Sequence, residues 1–117
     1  MTDEEKIYKI KNNTIYQKLK WYIYKKTSST IYYISFLEIS DHKRLNISFN
    51  YYIPTNNCFI SISLINKGES IKVFRSFSKG SLLNLYNTIR SSYPTTLPER
   101  LKHKAEINSQ HRRISYI

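Results

Sequence analysis

Between residues 31 and 77 apolar and polar side chains alternate with a period of two, and short clusters of turn-forming residues interrupt the alternation. The pattern predicts consecutive strands over Ile31–Ser40, Leu45–Ile53, Cys58–Ile65 and Ser70–Phe77. In the second strand Leu45, Ile47, Phe49, Tyr51 and Ile53 share one face and Asn46, Ser48 and Asn50 the other. That strand is expected to cover a core on one side and meet solvent on the other. In the third, Cys58, Ile60, Ile62 and Leu64 oppose Phe59, Ser61, Ser63 and Ile65; in the fourth, Ile71, Val73, Arg75 and Phe77 oppose Lys72, Phe74 and Ser76. Pro54-Thr55-Asn56-Asn57 ends the second strand, and Asn66-Lys67-Gly68-Glu69 makes a tight turn because Gly68 accepts a positive φ.

Beyond Ser78-Lys79-Gly80-Ser81 the period changes. Leu82, Leu83, Leu85, Tyr86 and Ile89 form a stripe at helical spacing with Ser81 available as a cap, which predicts a helix over Ser81–Ser92 lying across the apolar face of the sheet. Tyr93-Pro94 and Leu97-Pro98 break any continuation, so the chain should turn extended there. Glu99–Ile117 is basic through Arg100, Lys102, Lys104, Arg112 and Arg113, and is either a second helix or a mobile tail. Upstream, Thr2-Asp3-Glu4-Glu5 has capping-box spacing and suits a short first helix. Ile15–Lys26 fits two templates. Ile15, Leu19, Tyr22 and Ile23 would stripe a helix, whereas Leu19, Trp21 and Ile23 alternate as in a strand. Aromatic enrichment from Leu19 to Tyr24, followed by the Thr27–Thr30 turn cluster, favours a strand pairing with Ile31–Ser40.

These elements predict an α+β fold: an antiparallel meander of four or five strands with one helix packed on a face and a basic C-terminal helix or tail. A chain of 117 residues is long enough for one core. The expected organisation is a single domain, with an N-terminal helix or hairpin region at 1–30, a sheet-plus-helix core at 31–93 and a basic extension at 94–117.

Charge narrows the function classes. The formal net charge is +11, and because Asp3, Glu4 and Glu5 hold three of the acids, nineteen basic residues face five acidic ones from Lys6 onward. Such a field favours an acidic partner: nucleic acid, an anionic membrane surface or an acidic protein face. A single cysteine, Cys58, excludes an internal disulfide framework and a multi-cysteine zinc site, and its alternating position suits a small buried hydrophobe. No apolar run approaches the roughly 20 residues of a membrane helix and no signal-peptide pattern opens the chain, so a soluble protein is expected, its compartment open.

Catalytic patterns are absent. His42, His103 and His111 are scattered without metal-ligand spacing, and no metal or other cofactor is expected. Glu99, His103 and Glu106 would share a helical face but suit pairing with neighbouring lysines and arginines; Glu38, Asp41 and His42 gather at one turn as solvated residues do. Lys79-Gly80-Ser81 lacks the glycine-rich loop of a nucleotide site. The expectation is a non-enzymatic binding module. Eleven tyrosines, five phenylalanines and Trp21 interleave with lysines over Lys18–Lys26 and near Lys72 and Arg75, the combination that stacks on bases while cations meet phosphates. Lys18, Lys20, Trp21, Lys25, Lys26, Lys72 and Arg75 are therefore expected to share one exposed face that binds nucleic acid. The same tyrosines suit a protein interface, so a protein-binding adaptor or a secreted effector is the alternative.

One family resemblance bears on a third reading. Leu45–Ser78, followed by Ser81-Leu82-Leu83-Asn84-Leu85-Tyr86, Tyr93-Pro94 and Pro98-Glu99-Arg100, resembles the first half of a phosphoinositide-binding PX (phox-homology) domain. The resemblance implies a lipid-headgroup pocket in which Phe77 stacks on the inositol ring while Arg75 and Arg100 match basic positions. Ser76 stands where the family places its phosphate-binding arginine.

Overall fold

A computed structural model of the chain describes residues 19–78 and 80–105, with 72–78 and 80–81 described by their backbone alone. Strands β1 (Tyr22–Lys26), β2 (Thr30–Ser40), β3 (Lys43–Tyr52), β4 (Asn57–Asn66) and β5 (Glu69–Ser78) precede helix α1 (Gly80–Ser91) and a two-residue strand, β6 (Thr95–Thr96). They form one sheet in the order β5-β4-β3-β2-β1-β6. The first five strands are an antiparallel meander, while β6 pairs in parallel with β1 through Tyr22–Thr95 and Ile23–Thr96. The α+β architecture is thus the expected one, with β6 added in the stretch expected only to run extended. Thr2–Glu5, Lys18 and residues 106–117, on which a first helix, a binding lysine and a tail were expected, lie outside the described residues.

Local chemistry accounts for the turns. Between β1 and β2 the Thr27 hydroxyl accepts bonds from the amides of Ser29 and Thr30 and itself donates to the Thr30 carbonyl. Between β4 and β5, Lys67 (φ +52°) and Gly68 (φ +82°) are both left-handed, the conformation a two-residue hairpin needs to match strand twist. Between β3 and β4 a 3-10 turn over Ile53–Thr55 carries Pro54 in its first positions and ends on left-handed Asn56, whose side-chain oxygen accepts a hydrogen bond from the Tyr51 hydroxyl.

The sheet buries one face against α1. Leu45, Ile47, Phe49 and Tyr51 of β3 join Cys58, Ile60, Ile62 and Leu64 of β4 and Tyr33 of β2. Leu82, Leu85, Tyr86 and Ile89 close this core from the helix, at the i, i+3, i+4, i+7 spacing that puts them on one stripe. Each such burial is worth about 1.5–3 kcal/mol before the entropy of ordering is set against it. Trp21 is also sealed here, and Leu19 and Ile23 pack beside it. The Leu19-Trp21-Ile23 alternation therefore continues as in a strand, although regular pairing begins only at Tyr22.

The opposite face corrects an expectation. Asn46, Ser48, Ser61 and Ser63 do not meet solvent; all are buried. Over Asn46 the reason is the C-terminal segment. After β6 a 3-10 turn over Glu99–Leu101 and further helical turns at 102–105 carry Leu97, Leu101 and Ala105 onto Tyr22, Ile34 and Phe36. Asn46 Nδ2 donates to the Lys104 carbonyl at 2.9 Å, and Arg44 Nε donates to Asn46 Oδ1 at 2.9 Å. Among the described residues no helix is long and apolar enough to cross a membrane.

Helix α1 ends without glycine. The amides of Ser92 and Tyr93 bond the carbonyls of Ile89 and Arg90, and Tyr93 adopts φ +53° with its side chain 85% exposed. A side chain at this backbone conformation costs about 1–2 kcal/mol. Tyr93→Gly is expected to raise stability by up to about 1 kcal/mol, part of the relief being returned as unfolded-chain entropy. In contrast, Ile47→Ala should lower stability by 2–5 kcal/mol, with ~2 the outcome if the site collapses well. Chemical denaturation measures both, through midpoints that move while the slope stays constant.

Candidate functional site

The register assembles a row of side chains that are far apart in the chain. Lys25 pairs with Tyr32, Tyr32 with Asn50, and Asn50 with Phe59. Cross-strand partners lie on the same face, and alternation places this row on the side away from α1. The next row toward the centre, Tyr22, Ile34, Ser48 and Ser61, holds buried residues except for half-buried Tyr22. The Lys25 row differs: Tyr32, Asn50 and Phe59 are half-buried and Lys25 is exposed. Beyond it Thr30, Tyr52 and Asn57 pair, and the Tyr52 ring is 43% exposed. This end of the face is thus a partly open aromatic surface.

A cleft of about 280 Å³ adjoins the row at Lys25 and is lined by Tyr24, Lys25, Leu97 and Lys102. Tyr24 lies at the irregularity in the pairing of β1 with β2 and is 40% exposed. Lys102 forms an ion pair with Glu99 at 2.7 Å, both side chains well exposed, a type of pair that contributes little in water and exchanges readily. An aromatic ring, an apolar floor and two ammonium groups are suited to a flat anionic ligand. On the covered part of this face Lys104 is committed differently: its Nζ bonds Glu38 at 2.8 Å and lies 5.6 Å from the Phe36 ring centre.

The residues expected to form one binding face separate into groups. Lys20, Lys25 and Lys26 are exposed around β1, with Lys20 Nζ 5.9 Å from the Tyr22 ring centre. Trp21 is 2% exposed within the core under α1, so its ring has no surface on which a base could stack. Lys72 and Arg75 belong to β5, four strand spacings from β1 and so about 19 Å across the sheet. Phe77 is also on β5, paired in register with Phe59, whereas exposed Arg100 sits in the 3-10 turn that follows β6 at the other edge of the described sheet. Tyr32, Tyr52, Asn50 and Phe59 were not singled out by sequence reasoning. Each looks like an ordinary strand residue until pairing sets it beside Lys25.

A second aromatic group is a core feature. Tyr51 and Tyr86 stack with centroids 3.7 Å apart and planes 7° from parallel; Tyr33 packs at 6.4 Å from both Tyr86 and Phe49. Arg90 lies 5.5 Å from the Tyr86 ring centre. Burial pushes the Tyr33 hydroxyl up to about 12, with Tyr86 and Tyr51 adding and Arg90 opposing, and it raises Tyr51 in the same sense. Cys58 is held at about 11 by burial alone, a thiol kept protonated and unreactive at neutral pH. Burial also lowers Arg44, against the opposing influence of Glu38. Among the described residues no group of three or more His, Cys, Asp or Glu gathers where a metal ion would be held.

The chain matches no known family model, no curated protein and no solved structure.

The raised hydroxyl and thiol predict an alkaline transition. Between their ordinary values and about 12 the unfolded chain binds fewer protons than the folded one, so stability falls as pH rises. Denaturant midpoints measured from neutral pH upward should hold until about 9 and then decline; for Tyr33→Phe the decline should be smaller.

Proposed function

We propose that the protein binds single-stranded nucleic acid on the sheet face that carries Lys25, Tyr32, Asn50 and Phe59. One observation supports this reading above the rest: strand register sets two half-buried aromatic rings and an exposed lysine in a single row next to a lysine-lined cleft. Bases stack on Tyr32, Phe59 and the Tyr52 ring at its margin, each contact worth about 1–3 kcal/mol without selecting a sequence. Phosphates meet Lys25 and Lys102, with the net charge of +11 drawing the strand toward the surface from beyond the contact distance. The rings of the row stand on paired strands, and holding them there before binding reduces the ordering entropy that opposes it.

The test is anisotropy of a labelled single-stranded oligonucleotide titrated with the full chain across a salt series. Affinity is expected to fall steeply with salt, by a slope of about 0.7 per phosphate neutralised, and Lys25→Ala should flatten that slope by roughly one contact. Tyr32→Ala and Phe59→Ala should each weaken binding about tenfold. Trp21 emission should stay unchanged on binding, because its ring lies under α1 on the other side of the sheet. Binding that is weak at low salt, or indifferent to Tyr32 and Phe59, would overturn the proposal.

A further inference from the structure

The row contains one polar residue flanked on both neighbouring strands by an aromatic. Asn50 pairs in register with Tyr32 on one side and with Phe59 on the other. Among the described residues its amide makes no side-chain hydrogen bond, and the residue is half-buried rather than solvated outright. Elsewhere on this face the carboxamide of Asn46 is bonded at both ends, its oxygen by Arg44 and its nitrogen to the Lys104 carbonyl. Asn50 therefore keeps a donor and an acceptor in reserve where bases would lie.

We infer that Asn50 reads the edge of a stacked base and that the base it favours is adenine. This rests on the nucleic-acid reading of the same face. A carboxamide offers one donor and one acceptor side by side, which matches the N7 acceptor and N6 donor of adenine; the corresponding edge of guanine offers two acceptors and leaves the Asn50 oxygen opposed to another oxygen. A purine also covers more of the Tyr32 or Phe59 ring than a pyrimidine does, so the base best placed for the edge contact is one that stacks well. Stacking holds the base flat on the sheet, and the Asn50 amide, one strand over from either ring, lies at its edge rather than beneath it.

The experiment compares oligo(dA) with the same strand built from deaza-adenine, in which N7 is replaced by carbon while the stacking surface and the phosphates are kept. The full chain should bind the deaza strand about tenfold more weakly, and Asn50→Ala should bind both strands equally, at about the wild-type affinity for the deaza strand. A deaza strand that binds the wild-type chain as tightly as oligo(dA) would overturn the inference without needing any variant to fold, and so would a deaza penalty that persists in Asn50→Ala. Absence of binding to every strand would instead remove the nucleic-acid reading itself, and the inference with it.

Discussion

A slip of one residue in β3 against β2 and β4 would exchange Leu45, Ile47, Phe49 and Tyr51 for Arg44, Asn46, Ser48 and Asn50 beneath the helix. Register is therefore the constraint from which the rest of the structure follows. The helix stripe of Leu82, Leu85, Tyr86 and Ile89 has a surface to pack on only in the native pairing. The same pairing sets Asn46 where the Lys104 carbonyl can meet it, and so locates the segment that covers the other face. Turn chemistry defends it between β3 and β4 through the left-handed Asn56, and sets β5 against β4 through the left-handed Lys67 and Gly68.

Because the two covering layers differ in extent, the faces acquire different roles. Helix α1 completes an apolar core that includes Trp21 and a stacked Tyr51–Tyr86 pair. Among the described residues, the shorter segment from Leu97 to Ala105 covers the face at Tyr22, Ile34 and Phe36, and the row from Lys25 to Phe59 is partly open. Ser48, Ser61 and Ser63 put small, buried side chains on that face. The buried hydroxyls of Ser61 and Ser63 have no hydrogen-bond partner among the described residues, so this layer carries a desolvation cost.

Tyrosine and lysine each divide between structural and surface positions. Tyr33, Tyr51 and Tyr86 are core residues, with burial raising the hydroxyls of the first two, whereas Tyr24, Tyr52 and Tyr93 are exposed. Lys104 is tied to Glu38 and spans β2 and the C-terminal segment. Net charge acts over roughly a Debye length of about 8 Å or more and governs encounter, while only the few cations beside the open row can govern a bound geometry.

The meander, its faces and the helical stripe were legible in the chain because alternation and helical spacing are local properties, written within ten residues or so of one another. The pairing of β1 with β2 was legible for the same reason. Other features have no local signature. Thr95–Thr96 is too short to announce a strand, and it becomes one only where Tyr22 and Ile23 offer an edge. Asn46 and Ser48 carry the pattern of a solvated face, yet both are buried, Asn46 in contact with a segment 58 residues away. Trp21 and Lys25 are close neighbours in sequence but face opposite layers, so a cluster of aromatic and basic residues in the chain did not become a cluster in space. Composition and periodicity determined which side chains a strand presents together; which of them remain uncovered was decided by the tertiary structure, since burial depends on what distant segment arrives above them.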